Sequence, residues 1–103
     1  MSLEATVTAS DEGTVIHLAG ELDMSTVETL RRAVQTELLG FPGRVVVDLS
    51  ELTFCDSLGL GTLLVLSRAA QSQRTLLVLR RPSPFFVRMV EVAGVGQALT
   101  IAS

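Results

Sequence analysis

RVVVDLS, Arg44–Ser50, and FCDSLGLGTLL, Phe54–Leu64, together decide the fold. The first run is β-branched and apolar at successive positions, as in a parallel strand covered on both faces. The second passes through Asp56 and Ser57 into a segment that is apolar nearly all round until Leu66. Ser67, Arg68, Gln71, Ser72 and Gln73 then turn it to solvent, which predicts a helix from Ser57 to about Gln73. TLLVLR, Thr75–Arg80, is another buried-type strand, so strand, helix and strand make a parallel crossover unit.

Upstream of this unit, Leu3, Ala5, Val7 and Ala9 alternate with Glu4, Thr6, Thr8 and Ser10, the period-two pattern of a half-exposed edge strand. Asp11-Glu12-Gly13 is turn chemistry, and TVIHLAG, Thr14–Gly20, is the second arm of an antiparallel hairpin. Ser25 with Glu28 three residues later reads as a capping box opening a helix. Val27, Leu30, Val34 and Leu38 form its apolar stripe, and Gly40-Phe41-Pro42-Gly43 ends it. Downstream, Ser83-Pro84 suits an N-cap with proline at the first helical position. Phe86, Val90 and Ala93 form the buried stripe of this short helix, Gly94 ends it, and ALTIAS at the carboxyl end is a weak last strand.

The predicted order is ββαβαβαβ. Right-handed crossovers between neighbouring strands put every helix on one face of a mixed, mainly parallel α/β sheet, and residues 1–103 read as one domain. Asp56 and Ser57 then lie at the carboxyl end of the Arg44–Leu49 strand, the end where open α/β sheets place ligands and chemistry.

Composition excludes several classes of function. A chain of 103 residues can bury roughly 60 to 70% of the surface it exposes when unfolded, so a true core is available. The apolar runs fall well short of the ~18 to 20 residues a bilayer span needs, and MSLEATVTAS lacks the pattern of a secretory signal. No membrane association and a cytoplasmic location are the expectation. Cys55 has no second cysteine to pair with, and His17 is the only histidine, so no metal-ligand spacing exists and no cofactor is expected. The net charge is −3, and the eight arginines are scattered apart from Arg31/Arg32 and Arg80/Arg81. With no tryptophan or tyrosine to stack bases, direct nucleic-acid binding is not expected.

Four kinds of chemistry can be weighed at the Asp56-Ser57 junction and the strand before it. Asp48 near a strand end invites comparison with a phosphate-accepting aspartate, but the chain has no lysine and no acidic pair after the first strand, so a buried or capping role is the plainer account. Ser57 as a hydrolase nucleophile would require a G-x-S-x-G elbow, whereas its neighbours are Cys55-Asp56 and Leu58-Gly59, and His17 is a doubtful base. Gly59 and Gly61 lack the third glycine of a dinucleotide fingerprint and fall inside the helix. Cys55 could be a phosphoryl acceptor or a thiolate at a helix N-terminus, or simply a small buried residue. Ser57 as a helix N-cap would contribute about 1 kcal/mol. That role leaves unexplained two glycines that each cost roughly 1 kcal/mol in a helix interior unless something packs closely on them.

DSLGLGTLL, preceded by VVVDLSELTF and, further upstream, by GELDMSTVETL, resembles the STAS family, shared by anti-sigma factor antagonists and sulfate transporters. The resemblance spans nearly the whole chain, and the pairing of G-E-L-D with D-S-x-G-L-G is more specific than either motif alone. It implies the STAS fold and a non-enzymatic binding module, an anti-sigma factor antagonist. Unphosphorylated, it would bind an anti-sigma factor serine kinase and free the sigma factor; phosphorylation of Ser57 would abolish binding, and a phosphoserine phosphatase would reset the switch. The partner-binding residues implied are Asp23, Asp56, Ser57, Leu58, Gly59 and Leu60. Leu58 departs from the second small residue that many members carry, which leaves Ser57 as the one candidate acceptor. An alternative implied by the same family is a STAS subunit docking on the ATPase of a lipid-transport ABC system, with Ser57 only capping a helix. The resemblance does not specify an oligomeric state.

Overall fold

The computed structural model describes residues 2–102; Met1 and Ser103, the ends of the one-domain reading and of the ALTIAS strand, lie outside the described residues. Its elements are β1 (Leu3–Ser10), β2 (Gly13–Leu22), α1 (Val27–Leu38), β3 (Arg44–Cys55), α2 (Ser57–Ser72), β4 (Leu76–Arg80), α3 (Pro84–Ala93), a 3-10 turn (Gly96–Ala98) and β5 (Thr100–Ala102). The sheet runs β1-β2-β3-β4-β5, antiparallel between β1 and β2 and parallel elsewhere. This is the predicted mixed, mainly parallel sheet in sequence order, with α1, α2 and α3 on one face.

The core lies between that face and the helices. Leu30, Val34 and Leu38 of α1, Leu60, Leu63, Leu66 and Ala70 of α2, and Phe86 and Val90 of α3 pack with Ile16, Leu18, Val45, Val47, Leu49, Leu77 and Leu79 of the strands. Each fully buried aliphatic side chain contributes roughly 1.5–3 kcal/mol relative to exposure. On the helix-free face, Val15, Val46 and Val78 form a second, smaller buried strip. Two residues further along the same β3 and β4 strands, the Arg80 guanidinium holds Asp48 through two contacts of 2.9 Å and reaches Glu12 at 3.5 Å. His17 also belongs to this face by strand alternation, with Nε2 3.3 Å from Thr8 Oγ1, a surface contact far from the candidate site.

Three details differ from the sequence reading. The middle strand does not stop at Ser50 but continues to Cys55. Beyond Asp48 it loses β4 as a neighbour and pairs only with β2, whose ladder runs on through Ala19–Leu22 past two register irregularities. With one neighbour in place of two, this extension tolerates the exposed Ser50, Glu51 and Thr53.

The Ser25–Glu28 capping box does not form. The carbonyl of Asp23 accepts the N–H groups of Thr26 (3.1 Å) and Val27 (2.9 Å), and Glu28 pairs instead with Arg31 at 3.3 Å. A carboxylate two residues ahead of Ser25 is the stronger acceptor and captures the serine for itself. Ala93 is exposed, outside the Phe86–Val90 stripe, because α3 ends one residue later at Gly94 in the left-handed conformation (φ 71°).

Candidate functional site

β3 delivers Phe54 and Cys55 to the end of the sheet, and the chain turns there into α2. The Asp56 N–H donates to the Leu22 carbonyl (3.1 Å), tying the junction to the end of β2. Asp56 is extended (φ −95°, ψ −179°), and its Oδ1 accepts the Gly59 N–H at 2.8 Å. The N-cap of α2 is therefore Asp56, not Ser57 as the sequence reading had it. Both residue types are favoured caps, and the carboxylate brings the additional attraction of the helix N-terminus for negative charge. Ser57 becomes the first helical residue: it is exposed, and its hydroxyl has no hydrogen-bond partner among the described residues.

The two glycines separate physically. A Cβ on Gly59 would lie 2.8 Å from Leu22 Cγ and 3.0 Å from Cys55 Sγ, so the absence of a side chain is what lets the first turn of α2 sit on the ends of β2 and β3. A Cβ on Gly61 would meet nothing within 4 Å, so no packing within the chain requires this glycine. Gly59 and Leu60 are buried, whereas Ser57 and Leu58 are exposed and Asp56 is half-buried.

The β2–α1 loop forms the other wall. Asp23 is only 7% exposed, and its Oδ1 accepts the Ser25 hydroxyl (2.7 Å) and the Ser25 N–H (2.9 Å). The Ser25 hydroxyl above all, then its N–H and the Thr26 hydroxyl, hold the Asp23 carboxyl below its ordinary range against the opposing effect of desolvation. Thr26, also buried, donates its hydroxyl to the Glu21 carbonyl (2.7 Å) and accepts the Asp23 N–H (3.0 Å). Asp23 thus organises its loop from within, leaving Met24 at its tip 77% exposed.

Met24, Asp23 and Ser25 line a shallow depression with Phe54 and Asp56. On the other side of Ser57, Leu58, Gly61, Thr62, Val65 and Leu66 form a groove with Arg31 of α1. The exposed apolar side chains Met24 and Phe54 line the first of these depressions and Leu58 and Val65 the second. Of these four, only Leu58 was singled out from sequence; Met24 is a large apolar residue inside a polar loop, and Phe54 ends a strand, signals that neither periodicity nor motif captures.

The remaining candidates fall away from reactive chemistry. Burial first, and then the Asp56 charge, push the Cys55 thiol up to about 12, so it is a small buried residue and not a thiolate. Asp48 is 2% exposed, with one oxygen engaged by the Ser50 N–H (2.9 Å) and hydroxyl (2.6 Å) and the other by Arg80. Burial pushes its carboxyl up, but Ser50 and Arg80 outweigh it and leave the group below its ordinary value. Among the described residues no group of three or more His, Cys, Asp or Glu could hold a metal ion, and no helix is long and apolar enough to cross a membrane.

A sheet in sequence order with helices on one face, and a helix-capping aspartate beside a free serine at its rim, define a class of small α/β proteins built around a helix N-terminus. A family model described as "Mlab, STAS domain" matches residues 5–101, and the chain belongs to the STAS family. It is 31% identical over 86 residues to an anti-sigma F factor antagonist of Lysinibacillus sphaericus, covering 82% of this chain and 74% of the relative. Among solved structures, an anti-sigma factor antagonist from Mycobacterium paratuberculosis superposes with a TM-score of 0.85 at 24% identity, covering 96% of this chain and 84% of that one. The anti-sigma factor antagonist SpoIIAA in its unphosphorylated form matches with a TM-score of 0.76 at 26% identity (98% and 88% covered). The Bacillus cell fate determinant SpoIIAA in its phosphorylated form matches at 0.71 and 27% (98% and 91%).

Proposed function

We propose that this protein is an anti-sigma factor antagonist whose binding is switched by phosphorylation of Ser57. Unphosphorylated, it binds an anti-sigma factor serine kinase and displaces the sigma factor; phosphorylated, it lets go, and a phosphoserine phosphatase restores it. The observation that carries this reading is the division of labour at the α2 N-terminus: Asp56 takes the cap, which leaves the Ser57 hydroxyl exposed for modification. Likeness to SpoIIAA, solved with and without phosphate, supports the same role.

Ser57, Leu58 and Asp56 would meet the partner directly, together with the apolar rim of Met24, Phe54 and Val65. Buried Asp23, Gly59 and Leu60 would shape that surface from beneath.

The magnitudes fit a switch at the interface. A phosphate on Ser57 adds about −1.5 to −2 charges at a helix N-terminus that favours anions by roughly 0.3–1 kcal/mol. Converting a complex from mostly bound to mostly free needs about 5.5 kcal/mol, the scale of burying an unpaired charge beside Asp56 against apolar partner surface. With the cognate kinase and ATP, intact-mass measurement is expected to show one added phosphate, absent in Ser57→Ala, and Ser57→Glu is expected to lose the kinase in pull-down. Stoichiometric phosphorylation of Ser57→Ala, or undiminished binding by Ser57→Glu, would reject the assignment.

A second reading within the same family is a STAS subunit docked on a transporter ATPase. It predicts co-purification with an ATPase and no phosphate on Ser57. The capping role for Ser57 that accompanied this alternative passes to Asp56.

A further inference from the structure

The two edges of the sheet are unlike. β5 closes one side with only three residues, a length that offers little to another strand, whereas β1 closes the other with eight. Its register against β2 fixes which way the β1 backbone faces. The two-residue turn at Asp11-Glu12 makes Ser10 and Gly13 a bonded pair, and at the far end the Glu21 N–H donates to the Ser2 carbonyl at 2.9 Å. The ladder between these points is unbroken, so the even-numbered residues bond to β2 throughout. Leu3, Ala5, Val7 and Ala9 therefore aim their N–H and C=O groups outward, where no strand among the described residues meets them.

Soluble proteins blunt such an edge with lysine, proline, a bulge or a covering segment. β1 contains no lysine, proline or bulge, and Glu4 is its only charge. The helix layer buries Leu3 and half-buries Ala5 but leaves Val7 43% exposed and Ala9 bare. The strand's own pattern specifies what fits it. Laid antiparallel on itself about a two-fold axis at Thr6, the outward residues pair as Leu3 with Ala9 and Ala5 with Val7 of the second copy, each pair exchanging two hydrogen bonds. No other two-fold register pairs all four of them. In this one Glu4 faces Thr8 and Thr6 faces its own copy, so no like charges oppose, and the exposed Val7 packs beside an alanine.

We propose that this chain forms a two-fold dimer by pairing β1 with β1 of a second copy, joining the two five-stranded sheets into one. A contact of this self-complementary kind closes at two copies. It uses none of the residues around Ser57 and rests on no part of the phosphorylation reading.

Sedimentation equilibrium of the intact protein at concentrations up to about 1 mM measures the dimer, which is expected to be weak because one strand pair is a small interface. Val7→Pro removes an N–H that bonds nothing within the chain, a change that edge strands accept, and takes one hydrogen bond from each copy in the dimer. It is expected to keep the parent's circular dichroism and to weaken dimerisation about tenfold or more. Thr6→Cys reads the register without depending on that variant. Across the axis its two Cα atoms come about 4.5 Å apart, within reach of a disulfide, while the native Cys55 is buried. Glu4→Cys, on the same face and also exposed, would be offset from its copy by four residues, about 13 Å, and serves as the control. Under mild oxidation with diamide, Thr6→Cys is expected to give a disulfide dimer on a non-reducing gel and Glu4→Cys is not. The proposal is overturned if the parent stays monomeric throughout or grows beyond a dimer, if folded Val7→Pro associates as tightly as the parent, or if Glu4→Cys cross-links as fast as Thr6→Cys.

Discussion

If Asp56 caps α2 and Ser57 does not, the two residues must differ sharply in what they contribute to stability. Asp56→Ala removes the acceptor of the 2.8 Å bond from the Gly59 N–H. A lost cap costs about 0.5–2 kcal/mol, and the lost carboxylate at the helix N-terminus about 0.3–1 kcal/mol. The two overlap, since one charge makes both, so about 1.5 kcal/mol is expected. For a chain of this size that is a fall in Tm of roughly 6–12 °C. Ser57→Ala removes no bond within the described residues, and alanine is the better helix former, so its change should stay within about 0.5 kcal/mol. Asp56→Asn, which caps without the charge, should recover most of the loss. Urea denaturation followed by circular dichroism at pH 7 measures all three. The reasoning is refuted if Ser57→Ala destabilises as much as Asp56→Ala, because the serine would then be the cap and its hydroxyl would not be free.

The glycines of α2 should respond in opposite directions. Gly59→Ala drives a methyl into Leu22 and Cys55 and should cost about 1–3 kcal/mol, whereas Gly61→Ala meets open space and should gain about 0.5–1 kcal/mol, both read from urea midpoints. The Asp48 carboxyl titrates lower in the folded chain than in the unfolded one, so its contribution is fully present above the ordinary carboxylate value of about 4 and is lost as pH falls through the folded value. The urea midpoint should therefore drop in acid below about pH 4, and Asp48→Asn should drop less steeply; an equal slope in both would place the acid sensitivity elsewhere.

The parts of the fold carried by repeating patterns were legible in the sequence. The Leu30–Val34–Leu38 stripe and the β-branched Arg44–Leu49 run each report burial by several residues at once, and the alternation of Leu3–Ser10 located β1 although only Leu3 of its apolar set is fully buried. Decisions between neighbouring polar residues were not. Ser25 and Ser57 each looked like a cap, and in both places an aspartate just upstream accepts the helix's free N–H groups or the serine itself. Cap preferences are nearly equal for serine and aspartate, so propensity could not separate them; three-dimensional direction did. The far half of β3 was hidden for a related reason: a strand with one neighbour can be polar, and nothing local in Ser50-Glu51-Leu52-Thr53 says that β2 extends far enough to pair with it.

That hidden extension bears on the proposed switch. By carrying β3 to Cys55, the sheet delivers α2 at a fixed height, with Asp56 bonded to Leu22 through its backbone and to Gly59 through its side chain. The junction is thus secured entirely by groups other than the Ser57 hydroxyl. A phosphate on that hydroxyl would find a first turn whose Gly59 N–H is already taken by Asp56, so it could neither replace the cap nor gain the full attraction of an empty helix N-terminus. It would add negative charge next to an existing carboxylate, on an exposed rim of Met24, Phe54, Leu58 and Val65. Such a group leaves the fold almost untouched and makes the rim hostile to any partner that must dry it. The separation of cap from acceptor therefore lets a charge of that size act on binding without acting on stability. Comparing the urea midpoints of phosphorylated and unphosphorylated protein tests this directly: a difference above about 1 kcal/mol would show that the modification reaches the fold, and the division between Asp56 and Ser57 would have to be given up.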